Sequence, residues 1–222
     1  MAHIHLPDGT FSIKWVITWW IIALIIIGLC LYWLKKVKKI ENRKITMAAM
    51  LTAASFAIFQ VNIPLFGGVH INLTPLIGIL AGPAIGGIIV LIVNILSAAI
   101  GHGGWGLIGA NILVNMTEVT VAYSIYKVLG KINLDTFSKA GIGTIAGLLL
   151  GNITMILIIL ISGIQGATQD IPNTLYGLSL LAAVNMGVAI IESFITGYVV
   201  SYIMRVRPDM LREVTPVAAT AK

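Results

Sequence analysis

One stretch limits the possible folds more than any other. KWVITWWIIALIIIGLCLYWL, residues 14–34, carries a single charge, at its first position, and runs directly into the basic cluster Lys35, Lys36, Lys38, Lys39, Arg43 and Lys44. As a helix it would be about 31 Å long, enough to cross the roughly 30 Å hydrocarbon core of a bilayer. A bilayer offers backbone N–H and C=O groups no partner, so a segment of this kind has to be helical. Comparable apolar stretches recur to about residue 204, and no soluble domain is left over. The whole chain is 58% hydrophobic and 10% charged, with a mean hydropathy of +1.00, where soluble domains carry about 25% charged residues. The expected class is an all-α polytopic membrane protein, one integral membrane domain spanning residues 1–222. The only cysteine, Cys30, lies inside the first apolar run, which excludes an internal disulfide and a thiolate cluster.

The net charge of +6 does not point to nucleic acid, because the basic residues are grouped: residues 35–44, Lys127 to Lys139, Arg205 to Arg212, and Lys222. Short basic loops stay in the cytoplasm. With only Lys14 before the first span, the N-terminus is expected outside. The basic residues follow the apolar run instead of preceding it, the reverse of a signal peptide. Between the first basic cluster and Lys127 the chain must then cross an even number of times. Residues 45–66 and 107–126 supply two crossings. The piece from Ile71 to Ile100 has to supply two more, broken at AGPAIGG, where Pro83 cannot continue a helical ladder: one span near 72–82, another near 84–100. Residues 140–163 and 173–204 complete about seven spans, with the N-terminus outside, the C-terminus cytoplasmic, and a flexible tail at 213–222. This topology puts all four histidines, His3, His5, His70 and His102, on the outer side.

Clustered imidazoles beside glycines suggest a metal site. Met1-Ala2-His3 sharpens the idea: a terminal amine, backbone amides and an imidazole can close fused chelate rings, with four nitrogens in a plane. Such a plane favours Ni2+ or Cu2+ over tetrahedral Zn2+, although histidine alone does not exclude zinc, and His70 could add a further ligand. Asn111, Asn115 and Glu118 recur on one helical face and should point into the protein, as should Asn185 and Glu192 in the last span. Either stripe serves interhelical hydrogen bonding or tying down a binding loop. Ala49, Ala53 and Ala57 repeat every four residues in the second span, a pattern for close helix approach either inside the subunit or against a partner. Asp8 reads as a turn residue in Pro-Asp-Gly.

HLPDGT (5–10), GGVHINLTPLIGILAGP (67–83) and GHGGWGLIGANILVNM (101–116) together resemble the substrate-binding membrane subunit of nickel and cobalt transporters of the energy-coupling factor type. The resemblance covers most of the chain and implies capture of the ion by an N-terminal loop, here residues 1–12, tucked into the helical bundle. Its implied ligands are the terminal amine, the backbone nitrogen and imidazole of the histidine that follows, and a loop histidine, which is His70. Proximity to the amine selects Met1, Ala2 and His3; the Pro-Asp-Gly register selects His5. His102 is a candidate for supporting the site from the next shell, with Asn111, Asn115 and Glu118. The alanine stripe resembles the surface that docks on the coupling subunit.

No Walker motif is present, so ATP hydrolysis is expected on partners: a transmembrane coupling subunit and two ABC-type ATPases, with a small accessory membrane subunit left open. The chain is then the specificity subunit for Ni2+, with Co2+ as the alternative substrate, in a prokaryotic cell membrane. It has no resident cofactor, no catalytic residues and no nucleic-acid partner. Two other classes compete. A proton-coupled carrier would use Glu118 or Glu192 and need no ATPase. An intramembrane hydrolase would pair His102 with Ser97, Ser162 or Ser193, although no nucleophile motif surrounds those serines.

Overall fold

The computed structural model describes residues 8–36, 42–61, 70–166 and 170–208. Met1, Ala2, His3 and His5, and the tail at 213–222, lie outside the described residues. Within them the chain forms α1 (Ile13–Lys36), α2 (Asn42–Phe59), α3 (Thr74–Ala99), a short 3-10 turn (Trp105–Leu107), α4 (Ile108–Leu129), α5 (Thr136–Ser162) and α6 (Ile171–Val206), with no strand among the described residues. α1, α3, α5 and α6 are each long and apolar enough to cross a membrane. On α1 the exposed side chains Ile17, Ile21, Leu24 and Ile25 form an outward apolar face, as a lipid-facing helix requires. α6, at 36 residues, would be about 54 Å long, well beyond the thickness of a hydrocarbon core.

The break expected at AGPAIGG is present, at Gly82. α3 is one helical element interrupted at Gly82, whose φ of 76° and ψ of 168° only glycine adopts freely. Its two arms, 74–81 and 83–99, fold back on one another. The imidazoles that flank the element, His70 and His102, have ring centroids 4.5 Å apart, whereas 26 residues of straight helix would separate their ends by about 39 Å. Gly86 on the second arm likewise lies against the Ile77 side chain of the first. At eight residues the first arm is about 12 Å long, too short to be a crossing of its own. Counted with α3 as one element, the described residues hold six α-helices. Both ends of this segment lie on one side of the bundle, as the contact of His70 with His102 requires.

α4 is the centre of the bundle, with Val114, Glu118, Val119 and Ala122 fully buried. α3 and α5 pack most extensively on it, and α1 also lies against it. Alternation of the helices gathers the described basic residues other than Lys14 at one end: Lys35, Lys36, Lys44, Lys127, Lys131, Lys139, Arg205 and Arg207. Residues 8–10, His70, 102–106 and 163–165 meet at the other. There the Gln165 N–H donates to the Thr10 carbonyl at 2.8 Å, and Asp8 bonds the 3-10 turn.

Candidate metal centre

His70 and His102 face each other edge to face, their planes 80° apart. The Phe59 ring closes one side, 5.6 Å from His70 and 4.8 Å from His102. His70 is buried. Burial pushes its imidazole below the ordinary 6.5, and repulsion from His102 adds to this, while hydrogen bonding to the backbone of Val61 and Phe59 opposes it. Burial lowers His102 in the same direction. Both rings are thus held neutral at physiological pH, the form a metal ion needs, since protons compete for the same nitrogens.

These shifts give a testable sign. Folded-state values below 6.5 mean that the folded chain binds fewer protons than the unfolded one, so stability is retained above that value and lost as pH falls below it. Metal-free protein in detergent is expected to unfold at lower temperature at about pH 5.5 than at about pH 7.5. A variant carrying both His70→Ala and His102→Ala should flatten that slope; an unchanged slope would assign it to other groups.

The strap that carries His70 into α3, residues 70–73, is fastened from three helices. Asn72 donates its backbone N–H to Glu192 Oε2 of α6 at 3.4 Å. Its side-chain amide reaches Asn115 Oδ1 at 3.1 Å and Glu118 Oε2 at 3.4 Å, both on α4. Its carbonyl accepts from the Ser55 hydroxyl of α2 at 2.9 Å. Thr74 donates to Glu118 Oε2 as well. Every one of these side chains is buried, so each bond acts where water cannot replace it. Next in the chain, Leu73 is held at φ 56°, a left-handed conformation that costs a bulky residue about 1–3 kcal/mol and persists only where its surroundings fix it. The polar network supplies that constraint.

The sequence candidates separate accordingly. Asn115 and Glu118 lie together on the inward face of α4 and hold the strap that carries His70; Asn111 is buried on the same helix. Asn185 lies seven residues before Glu192 on α6. Its amide donates to Asn152 Oδ1 of α5 at 2.9 Å, a tie between two helices. Asn72 and Thr74 were missed by sequence reasoning, although they follow His70 by two and four positions, just ahead of Pro75 at the start of the helix. Asp8 was read only as a turn residue. Its carboxylate accepts from the Trp105 N–H at 3.2 Å and the Gly106 N–H at 2.9 Å, across 97 residues of sequence.

Comparison with known proteins decides the family. The profile described as cobalt uptake substrate-specific transmembrane region matches residues 5–210. The chain belongs to the CbiM family. Among its relatives, the cobalt transport protein CbiM of Acetohalobium arabaticum is 26% identical over 221 residues, covering 96% of this chain and 87% of the relative. A protein of Archaeoglobus fulgidus that bears the name fused nickel transport protein NikMN is 27% identical over 220 residues, 94% of this chain and 68% of the relative. A crystal structure described as a truncated transition metal transporter shares the fold, with a TM-score of 0.73 at 20% identity over 91% of this chain and 99% of the other. As a CbiM-family member the chain is a cobalt or nickel uptake component of a membrane, and the hydrolase expectation is withdrawn: the family and these relatives are metal transport proteins.

Proposed function

We propose that the chain is the specificity subunit of an ATP-driven importer of the energy-coupling factor type, capturing Ni2+, with Co2+ as the alternative, from the outer face of a prokaryotic cell membrane. The observation that carries this reading is the His70–His102 pair, assembled at the end of the bundle opposite the basic residues in a chain of the CbiM family. The positive-inside rule assigns the basic end to the cytoplasm, which puts the imidazole end outside, where substrate arrives. The site is completed by the N-terminal arm: the amine of Met1, the backbone nitrogen of Ala2 and the imidazole of His3, or of His5 in its place. Four nitrogens including two imidazoles suit Ni2+ in a planar arrangement, and a planar preference is what would separate it from Co2+.

The alanine stripe supports the partner reading. Ala49, Ala53 and Ala57 are all exposed on α2, so they serve no packing inside the subunit, and small residues at this spacing let another helix approach closely. A coupling membrane subunit docks there, with two ATPases beneath it. Ala53→Trp is expected to leave Ni2+ affinity within about twofold while cutting ATP-driven uptake at least about tenfold; uptake unaffected by the bulky side chain would move the docking face elsewhere.

The deciding test reconstitutes the chain in proteoliposomes with and without the coupling subunit and ATPases, and follows Ni2+ and Co2+ uptake. Uptake that requires ATP and is greater for Ni2+ supports the proposal. Accumulation driven by a proton gradient alone, and abolished by Glu118→Gln or Glu192→Gln, would replace it with a proton-coupled carrier.

A further inference from the structure

The N-terminal strap enters the bundle at a built contact. Asp8 is exposed, yet both its carboxylate oxygens are engaged, Oδ2 by the Trp105 N–H and Oδ1 by the Gly106 N–H. These are first-turn donors of the 3-10 turn that leads into α4, groups that have no partner within their own helix. The opposing surface is shaped to receive a carboxylate. A Cβ at Gly104 would lie 2.4 Å from Asp8 Oδ1, and one at Gly106 would lie 3.3 Å from it. Behind Asp8 the strap is held twice more: the Thr10 carbonyl accepts from Gln165, and Phe11, 3% exposed, packs in a buried cluster with Trp19 and Leu107. Two residues before Gly104 in that loop, His102 faces His70.

We infer that Asp8 is a positioning residue for metal capture: its carboxylate latches the root of the N-terminal arm onto the 104–106 loop, which fixes where residues 1–7 begin relative to the His70–His102 pair. Asp8 is not a ligand. With both oxygens accepting backbone donors, it acts through the arm it anchors and through the loop that carries His102. The inference rests on the proposal that the N-terminal arm supplies nitrogens to the ion. An arm of seven residues with a free root would sample many positions, and each order of magnitude lost in its effective concentration is an order lost in affinity.

The test compares Ni2+ binding to the detergent-solubilised full chain by calorimetry, the visible spectrum of the saturated complex, and the unfolding temperature of the metal-free protein, in Asp8→Ala, Asp8→Asn, Gly104→Ala and the double variant Asp8→Ala with Gly104→Ala. Asp8→Ala is expected to weaken Ni2+ binding by about 10- to 100-fold, the usual range for a residue that orients ligands without being one. The spectrum at saturation should be unchanged, and the unfolding temperature should stay near that of the parent. Asp8→Asn keeps an acceptor oxygen and should restore part of the loss. Gly104→Ala, which obstructs the same contact, should weaken binding in the same way, and the double variant should cost no more than Asp8→Ala alone. Unchanged affinity in Asp8→Ala would make Asp8 a plain turn residue, and an altered spectrum would make it a ligand; either overturns the inference. Ni2+ binding that survives both His70→Ala and deletion of residues 1–7 would instead overturn the reading of the site on which the latch depends.

Discussion

His70→Ala is expected to weaken Ni2+ binding by more than about a hundredfold, because residues that merely orient ligands already cost 10- to 100-fold when lost and on the proposed site this substitution would remove a ligand. The loss should appear in calorimetry of the purified chain and as disappearance of the visible absorption of a planar nitrogen complex. His102→Ala should fall lower on the same scale. Its ring stands 4.5 Å from that of His70 and beside Phe59, placed to orient the neighbouring imidazole. If His70→Ala kept parental affinity, the site would have to be moved away from the strap altogether. If His102→Ala proved as damaging as His70→Ala and also changed the spectrum, His102 would be bound to the ion directly.

The second large effect concerns the bundle itself. A Cβ at Gly78 would lie 2.3 Å from the Val119 carbonyl oxygen and 2.9 Å from its carbon. Both are backbone atoms of the central helix, so no rotamer change can relieve the contact. Gly78→Ala should destabilise the protein by about 1–3 kcal/mol, the range for overpacking a well-filled core, and Gly78→Leu by more. Because Gly78 sits in the arm that begins at Thr74, forcing that arm off α4 would also loosen the Thr74–Glu118 bond and the strap before it. Stability and Ni2+ affinity are therefore expected to fall together, as read by thermal unfolding in detergent and calorimetry. Gly28→Ala on α1, where a Cβ would meet nothing within 4 Å, is the matched substitution that should leave both at or above parental values, since alanine is the better helix former. A Gly78→Ala variant as stable as Gly28→Ala would mean that the arm is not seated on α4 as described.

Much of the architecture could be read from residues whose effect is local. An uncharged run ending in Lys35 and Lys36 can only be a helix that stops at a membrane surface, and Pro83 after Gly82 marks a break wherever it falls. Charge parity also placed the residues before α3 and those after it on one side. Parity counts reversals, however, and says nothing of how far each arm travels, so a span was expected near 72–82, where the helix before the kink at Gly82 begins only at Thr74. That His70 and His102 would touch was likewise beyond it, since parity assigns a side and not a position on that side. The inward face of Asn115 and Glu118 followed from helical spacing, but spacing cannot show what a polar face will bind. Their partners, Asn72 and Thr74, belong to the strap bearing His70. Asp8 lay deepest from view: its function is carried by backbone donors 97 and 98 residues away, and backbone donors leave no mark in a sequence beyond the glycines that make room for them.

The fastening of Asn72 has a consequence for how the protein is made. His70 and His102 are separated by one folded-back helix, a loop whose closure costs little entropy, so the two imidazoles can meet as soon as α3 has been synthesised. The strap between them is different, because its backbone bond to Glu192 spans 120 residues and reaches the last of the described helices. During vectorial synthesis the earlier helices can assemble first, but the left-handed turn at Leu73 lacks one of its constraints until α6 is in place. Placement of α6, not formation of the imidazole pair, is then the step that sets His70 in its final position, and a nascent chain halted before α6 would present both histidines without the Glu192 tie that fixes the strap.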